Sequence, residues 1–295
     1  MTYLILGANG LIGQHVVRCC KDKNLCYTGT SFSRETAGLI PFNLLDFDSI
    51  GRVFDQVKPT VVINSIGLAG GVNFCQENPA IGRNYHVEAT RLMVDWCRRS
   101  GAVFAFISTD YVFDGTHPPY KETDPTCPLN LYGQYKREAE QYIQANLDRY
   151  IIARTTNVFG WDPGTKTPNF LMHLIATLKT QDTIQVPSFL YGTPTYAGDL
   201  AAGVMDLIGQ QFYGLFHIVG PDYINRYDWA VKCLNMAGMT GKTVLKQEYP
   251  PVNMVPRPLL SHLDNSKFRS LSAVHMHGIK SGLELFIQHM RQQPL

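Results

Sequence analysis

The sequence lacks the features that would place it in several broad classes of protein. Its 295 residues contain no apolar run long enough to cross a bilayer, and the amino terminus has no basic region or small-residue cleavage site. Charged residues make up 17% of the chain with a net charge of +2, so nothing indicates nucleic acid or a membrane as a partner. The seven cysteines form no Cys-x-x-Cys pair and predict reduced thiols in a cytoplasmic protein.

Metal-ligand patterns are also missing. The nine histidines are scattered, and His275-x-His277 has no third ligand at useful spacing. We therefore predict no metal site. The sequence does not determine the oligomeric state. It is compatible with a homodimer.

The first 160 residues alternate β-branched runs with helical patterns, which is typical of a parallel sheet with crossover helices. We predict an α/β fold, a Rossmann-like doubly wound parallel sheet followed by a smaller irregular carboxy-terminal lobe. The dinucleotide-binding domain is predicted at 1–160 plus about 194–222, and the substrate-binding lobe at about 161–193 plus 223–295. The predicted strands are Tyr3–Leu6, Cys26–Ser31, Val61–Asn64, Val103–Ser108, Tyr150–Arg154 and Gly214–Val219. One long helix is predicted from Pro79 to Ser100.

A glycine fingerprint, Gly7-x-x-Gly10-x-x-Gly13, follows the first predicted strand and opens the first predicted helix. Such glycines permit a tight turn and let backbone amides approach a pyrophosphate at the helix N-terminus. Turn and packing glycines are the alternative explanation, but this placement favours cofactor binding. The predicted contacts of this turn are Gly7, Asn9, Gly10, Leu11 and Ile12.

The choice between NADP(H) and NAD(H) depends on residues near the end of the second strand. An acidic residue there would bind the ribose 2′-hydroxyl and disfavour a 2′-phosphate. The chain instead has Ser33 and then Arg34, which favours NADP(H) over NAD(H), although Glu35 follows directly. Arg34 as a solvated surface charge is the competing interpretation.

Thr109, Tyr132 and Lys136 make chemical sense as one unit. Tyr132 and Lys136 are four residues apart and would share a helix face, and Thr109 lies at the carboxyl end of the predicted strand Val103–Ser108. An ordinary tyrosine pKa of about 10 is too high for proton exchange at neutral pH. A nearby ammonium and a positive nicotinamide would lower it and give a general acid/base. Tyr135 cannot share the face of Lys136.

The chain resembles the extended short-chain dehydrogenase/reductases and, among them, the dTDP-4-dehydrorhamnose reductase family. Residues 108–115 and 128–133 carry the most specific likeness, which extends over nearly the whole length. The resemblance implies hydride transfer to the C4 ketone of a nucleotide-linked deoxysugar, with Thr109, Tyr132 and Lys136 as the catalytic triad. Tyr132 would protonate the oxygen, while Lys136 would hold the nicotinamide ribose and lower the tyrosine pKa.

The resemblance also implies further contacts. Cofactor residues would be Asn43 and Leu44, at the end of the family's third strand, and Ser65, Ile66 and Gly67, after its fourth strand, which is Val61–Asn64 here. Asn84 would open a helix beside the active site. The substrate-binding residues are predicted to be Asp110, Tyr111, Val112, Asn157, Asn169 and Arg257. Arg154, Arg226 and Arg257 are the arginines whose guanidinium groups suit a diphosphate.

The chain departs from the family pattern where Phe189-Leu190-Tyr191 replaces an acidic residue and glutamine, and where His262 replaces an arginine. The first change leaves the nucleotide base open. Gln14 and His15 stand where some members bind a metal through glutamate.

Two other functions compete with the reductase. A nucleotide-sugar epimerase or dehydratase is disfavoured because Tyr111, not glutamate, follows Asp110. The regulatory (beta) subunit of methionine adenosyltransferase, which acts through a partner, has similar motifs including the tyrosine and lysine.

Overall fold

The chain folds around a twisted parallel sheet. Within the residues that the computed structural model describes, 1–32, 35–165 and 167–293, seven strands form this sheet. The described residues contain these seven strands and seven others: β1 (Thr2–Leu6), β2 (Cys26–Ser31), β3 (Ile40–Pro41), β4 (Val61–Asn64), β5 (Val103–Thr109), β6 (Tyr150–Thr155), β7 (Val158–Phe159), β8 (Thr183–Pro187), β9 (Tyr191–Gly192), β10 (Thr195–Tyr196), β11 (Gly214–His217), β12 (Ile224–Asn225), β13 (Thr243–Gln247) and β14 (Leu260–Ser261). The sheet order is β11-β6-β5-β4-β1-β2-β3.

Helices cover both faces of the sheet. They are α1 (Leu11–Asp22), α2 (Phe47–Val57), α3 (Gly71–Glu77), α4 (Pro79–Arg83), α5 (Ala89–Ser100), α6 (Leu131–Asn146), α7 (Phe170–Thr180), α8 (Ala197–Gly209), α9 (Arg226–Ala237), α10 (Ser266–Leu271) and α11 (Ile279–Gln292). A π-helical turn at Asn84–Glu88 joins α4 to α5, and a 3₁₀ turn at Asp110–Val112 follows β5. Among the described residues, no helix is long and apolar enough to cross a membrane.

Alternation along β1 shows how the sheet acquires two cores. Tyr3 and Ile5 pack on the side of α1 and α8, while Leu4 and Leu6 pack on the side of α2 and α5. Successive side chains of a strand point to opposite faces, so covering both faces requires an apolar residue at every position. The predicted doubly wound Rossmann-like architecture is confirmed.

The order of the strands reverses between β1 and β4. From β1 the chain runs outward through β2 and β3 and returns across the sheet to β4, beside β1. Ligands of open α/β sheets bind in the crevice at the carboxyl ends of strands beside such a switch point. This reversal therefore marks where the site should be sought.

A second body of packed side chains lies beyond the sheet. Helices α7, α9 and α11 enclose Trp229 and Phe286, and the parallel pair β8–β13 borders them. A small sheet, in the order β12-β9-β14, lies beside Thr156 and Asn157 near the end of β6. The carboxy-terminal part of the chain thus brings residues from three short strands to the large sheet.

The predicted helix from Pro79 to Ser100 is real but not regular. It ends at Gly101, whose φ of +69° gives the expected left-handed cap. Between α4 and α5, however, residues Asn84–Glu88 widen into the π-helical turn. Such turns are frequently found at functional sites.

Candidate active site

Two adjoining cavities open at the carboxyl ends of the central strands. One, of about 530 Å³, lies at the glycine turn, and the other, of about 390 Å³, lies beside Thr109, Tyr132 and Lys136. Both are bordered by the same residues at the switch point, Ile12, Ser65, Ile66, Gly67 and Val158. An extended ligand could therefore lie across both.

The glycine turn fits a dinucleotide pyrophosphate. Gly7 has a φ of +77°, and a β carbon on Gly13 would lie 2.0 Å from the carbonyl oxygen of Gly7. Only glycine permits this backbone and this closeness of helix to strand. Gly10 provides no side-chain cap for α1, and the first turn of α1 carries no acidic residue. Its amide groups and positive dipole end are accordingly available to an anion.

The predicted cofactor residues separate into three groups. Gly7, Asn9, Gly10, Leu11, Ile12, Ser65, Ile66 and Gly67 all line the larger cavity. Ser33 and Arg34, on which the choice of NADP(H) depends, lie outside the described residues. Asn43 and Leu44 are not in the cavity lining, to which Phe42 contributes instead. Asn43 accepts a hydrogen bond from the Leu45 amide, and Leu44 is buried in the core.

Helix α6 presents Tyr132 and Lys136 to the smaller cavity, opposite Thr109 at the end of β5. Asn130 fixes the start of this helix by accepting a 2.9 Å hydrogen bond from the Gly133 amide. The Lys136 ammonium donates a 2.6 Å hydrogen bond to the carbonyl oxygen of Ile107 and lies 4.0 Å from the ring centroid of Phe106. The three proposed catalytic side chains thus line one cavity.

Burial decides the protonation of this group. It raises the pKa of Tyr132 above its ordinary value, partly opposed by a hydrogen bond with Thr109. The lowering expected from Lys136 together with a bound nicotinamide stays a prediction. Burial also lowers the pKa of Lys136 to about 7, partly opposed by the negative charge of Glu140. In the protein alone, desolvation has the largest effect on the pKa of Tyr132. Tyr132 is therefore a phenol at neutral pH, the form that can donate a proton.

Asp110 and Tyr111 are the predicted substrate residues nearest to Thr109. The Asp110 carboxyl accepts hydrogen bonds from the hydroxyls of Thr109 at 3.1 Å and Thr156 at 2.9 Å. Burial raises the pKa of this carboxyl. Both residues line the smaller cavity, whereas Val112 is fully buried among Phe113 and other apolar side chains. The 3₁₀ turn directs Val112 into the core, so it is not in the cavity lining.

Asn157 and Asn169 also line the smaller cavity. Asn157 has a φ of +46° and accepts a hydrogen bond from the Arg226 guanidinium. Asn169 caps α7 and donates to the carbonyl oxygen of Gly160. Arg257 is absent from the lining among the described residues, and its guanidinium donates to Asn73 at 3.0 Å.

The three arginines named as diphosphate candidates take different positions. Arg154 is buried and ion-paired with Glu140 at 2.7 Å, which excludes it from ligand binding. Arg226 lines the smaller cavity. Burial raises the pKa of Tyr111, and the positive charges of Arg226 and Arg257 partly oppose this rise. Both guanidinium groups therefore lie near the Tyr111 side chain.

Sequence reasoning missed several residues of the site. Thr155 and Thr156 line the smaller cavity at the end of β6, and Phe32 lines the larger one beyond the end of β2. Their positions directly after predicted strands could have identified them as site residues, because ligands bind at the carboxyl ends of such strands. His86 gave no such signal, yet its ring lies against Tyr132. Asn84, which was expected beside the site, is exposed.

A family model described as "RmlD substrate binding domain" matches residues 1–292. The dTDP-4-dehydrorhamnose reductase of Aggregatibacter actinomycetemcomitans is 28% identical over 285 residues, which cover 90% of this chain and 91% of the relative. The methionine adenosyltransferase 2 subunit beta of Xenopus tropicalis is 26% identical over 274 residues, with 91% and 81% covered.

Solved structures have the same fold. A dTDP-4-dehydrorhamnose reductase from Clostridium acetobutylicum superposes with a TM-score of 0.88 at 28% identity, covering 99% of this chain and 100% of that chain. The dTDP-4-dehydrorhamnose reductase from Bacillus anthracis, solved in complex with NADP, gives 0.87 at 23% identity, with 98% and 99% covered.

Proposed function

The chain belongs to the RmlD substrate binding domain family, and from that premise we propose that it uses NADPH to reduce the 4-keto group of a nucleotide-linked deoxysugar. It is an NAD(P)-dependent oxidoreductase of the short-chain dehydrogenase/reductase type. The observation that carries the proposal is the convergence of Thr109, Tyr132 and Lys136 on a cavity that adjoins the glycine-turn cavity. The named activity of the reductase relatives supports the choice of substrate.

The roles of the side chains follow from the charges of the reaction. When bound, the reduced nicotinamide supplies the hydride to the carbonyl carbon. Tyr132 donates the phenolic proton to the carbonyl oxygen, while the Thr109 hydroxyl holds that oxygen by a hydrogen bond. The Lys136 ammonium stabilises the phenolate that remains on Tyr132. In the protein alone the Thr109 hydroxyl donates its single proton to Asp110, so it turns from that carboxyl when it binds the substrate oxygen.

The proposed function divides the chain into a dinucleotide-binding part and a substrate-binding part. We infer that residues 1–160 with about 194–222 bind the dinucleotide, and that about 161–193 with 223–295 bind the sugar nucleotide. Asn169 and Arg226 from the second part line the smaller cavity, which supports this assignment. Arg226 and Arg257 carry the positive charge that a diphosphate requires.

NADP(H) is the proposed form of the cofactor. Arg34 in the sequence and the NADP complex of the Bacillus anthracis reductase support it. The ratio of kcat/KM for NADPH to that for NADH measures the preference. Arg34→Met should reduce this ratio at least about tenfold if Arg34 binds the 2′-phosphate. An unchanged ratio would reject that role.

Absorbance at the nicotinamide band tests the reaction itself. Purified protein is mixed with NADPH and a panel of nucleotide-linked 4-keto-6-deoxysugars. Turnover should disappear in Tyr132→Phe and persist in Tyr135→Phe, because the Tyr135 hydroxyl donates to the Pro79 carbonyl and lies outside the cavity lining. Equal activity in Tyr132→Phe and the wild type would overturn the proposal.

A second candidate role is binding to a partner enzyme, supported by the likeness to methionine adenosyltransferase 2 subunit beta. Co-purification with a methionine adenosyltransferase catalytic subunit tests it. Complex formation that persists in Tyr132→Phe would establish binding without the chemistry of the tyrosine. Absence of a complex in the wild type would reject this role.

A further inference from the structure

His86 is a buried titratable group next to the proposed acid that the mechanism above does not use. It lies within the π-helical turn Asn84–Glu88, and only 4% of it is exposed. Its ring centroid is 5.3 Å from that of Tyr132, with an angle of 79° between the ring planes. The edge-to-face contact restricts the orientation of the Tyr132 ring.

The polar atoms of His86 and Lys136 are complementary. The buried Nε2 of His86 has no hydrogen-bond partner among the described residues, which is costly for a buried polar atom. The Lys136 ammonium has three N–H donors, and in the described part of the chain only the Ile107 carbonyl accepts one. A buried acceptor without a donor in the described residues thus packs against Tyr132, and a buried ammonium with unused donors lies one helical turn from Tyr132 on α6.

We propose that His86 is a positioning residue of the reductase, whose Nε2 accepts a hydrogen bond from the Lys136 ammonium when the dinucleotide is bound. The inference rests on the proposed function, since it assigns Lys136 its place beside Tyr132. The bond requires a neutral imidazole with its proton on Nδ1. His86 then contacts both Tyr132 and Lys136. Its ring packs edge-to-face with the Tyr132 ring, and its Nε2 accepts the hydrogen bond from the Lys136 ammonium.

The electrostatics of the pocket agree with a neutral imidazole. Burial lowers the pKa of His86 well below its ordinary value, and the positive charge of Lys136 lowers it further. A second cation beside a buried ammonium would be strongly disfavoured. His86 can therefore act as an acceptor throughout the neutral range.

Nitrogen NMR tests the bond without any substrate. The His86 Nε2 resonance of ¹⁵N-labelled protein is identified by its absence in His86→Gln. It should be unprotonated, and at NADP⁺ concentrations that saturate each protein it should shift in the wild type but not in Lys136→Met. A protonated Nε2, or no shift in the wild type, would overturn the proposal whether or not the chain reduces any sugar.

Kinetics separate positioning from simple packing. His86→Phe keeps a ring but loses the acceptor, and kcat should fall about 100-fold with KM and NADPH affinity within about twofold of wild type. His86→Gln keeps an acceptor and should recover most of kcat. Thr90→Val is the matched control, because its hydroxyl donates to the His86 carbonyl without reaching the cavity. Equal losses in His86→Phe and Thr90→Val would mean a structural role only.

Discussion

Gly133 and Tyr111 are in direct backbone contact: a β carbon on Gly133 would lie 2.1 Å from the carbonyl oxygen of Tyr111. This closeness lets the first turn of α6 pack on the 3₁₀ turn that follows β5. It brings Tyr132 toward Thr109, so the distance between the proposed acid and the proposed oxygen-binding hydroxyl depends on a glycine that has no chemical function.

Gly133→Ala should therefore separate the two elements. We expect kcat to fall about 100-fold, since small displacements of reacting groups are costly. The free energy of unfolding should fall by about 1–3 kcal/mol from overpacking. Gly51→Ala in α2 is the control, because a β carbon there meets nothing within 4 Å. That variant should gain about 0.5–1 kcal/mol and keep its activity.

The pKa of Lys136 predicts how stability depends on pH. Its value of about 7 in the folded protein lies below the ordinary 10.5, so the unfolded chain binds more protons between these values. This residue therefore makes stability rise as the pH increases from about 7 toward 10.5. Lys136→Met should remove that contribution and be stabilising relative to wild type near pH 6. Urea denaturation at several pH values measures the difference, and Lys179→Met, exposed on α7, should not show it.

The buried pair of Arg154 and Glu140 predicts an asymmetric pair of variants. Glu140 accepts hydrogen bonds from Ser108 and from two nitrogens of Arg154. Glu140→Gln would leave a buried guanidinium without its counter-charge and should cost about 3–5 kcal/mol of unfolding free energy. The double variant Glu140→Leu with Arg154→Met should recover most of the loss. A single variant within 1 kcal/mol of wild type would show that solvent reaches Arg154.

Arg226 gives a test of diphosphate recognition that is independent of turnover. Calorimetry with dTDP as the probe should show a dissociation constant raised about tenfold to hundredfold in Arg226→Met, because a charge-assisted hydrogen bond is lost. NADPH affinity should not change. Arg99→Met, exposed at the end of α5, is the matched control. Equal dTDP affinity in Arg226→Met and wild type would place the diphosphate elsewhere.

Local sequence pattern predicted six of the seven strands described in the sheet and did not predict the two-residue strand β3. The predicted spans Cys26–Ser31 and Val61–Asn64 match the observed strands residue for residue, and Val103–Ser108 is one residue short. The runs from Val61 and Val103 are almost wholly apolar because both faces are covered, so strand and boundary are visible together. The switch point and the position of the site follow from the order of these elements.

Side-chain direction and desolvation were not predictable in this way. Val112 follows Asp110 and Tyr111 in sequence but points into the core, because a 3₁₀ turn and not a strand follows Thr109. The pKa of Tyr132 is raised by burial, because its ring packs against Cys75 and Val87. Both outcomes depend on contacts between segments distant in sequence. The π-helical turn that buries His86 likewise has no signature in the helical periodicity of 79–100.

The wall shared by the two cavities has a consequence for the time course of binding. Both cavities are bordered by Ile12, Ser65, Ile66, Gly67 and Val158. A ligand in the larger cavity would therefore form part of the lining of the smaller one. We expect an obligatory sequence of events, with the dinucleotide entering first and leaving last. Oxidised dinucleotide would then compete with the reduced form at every sugar concentration, while the sugar product would not compete with the reduced dinucleotide.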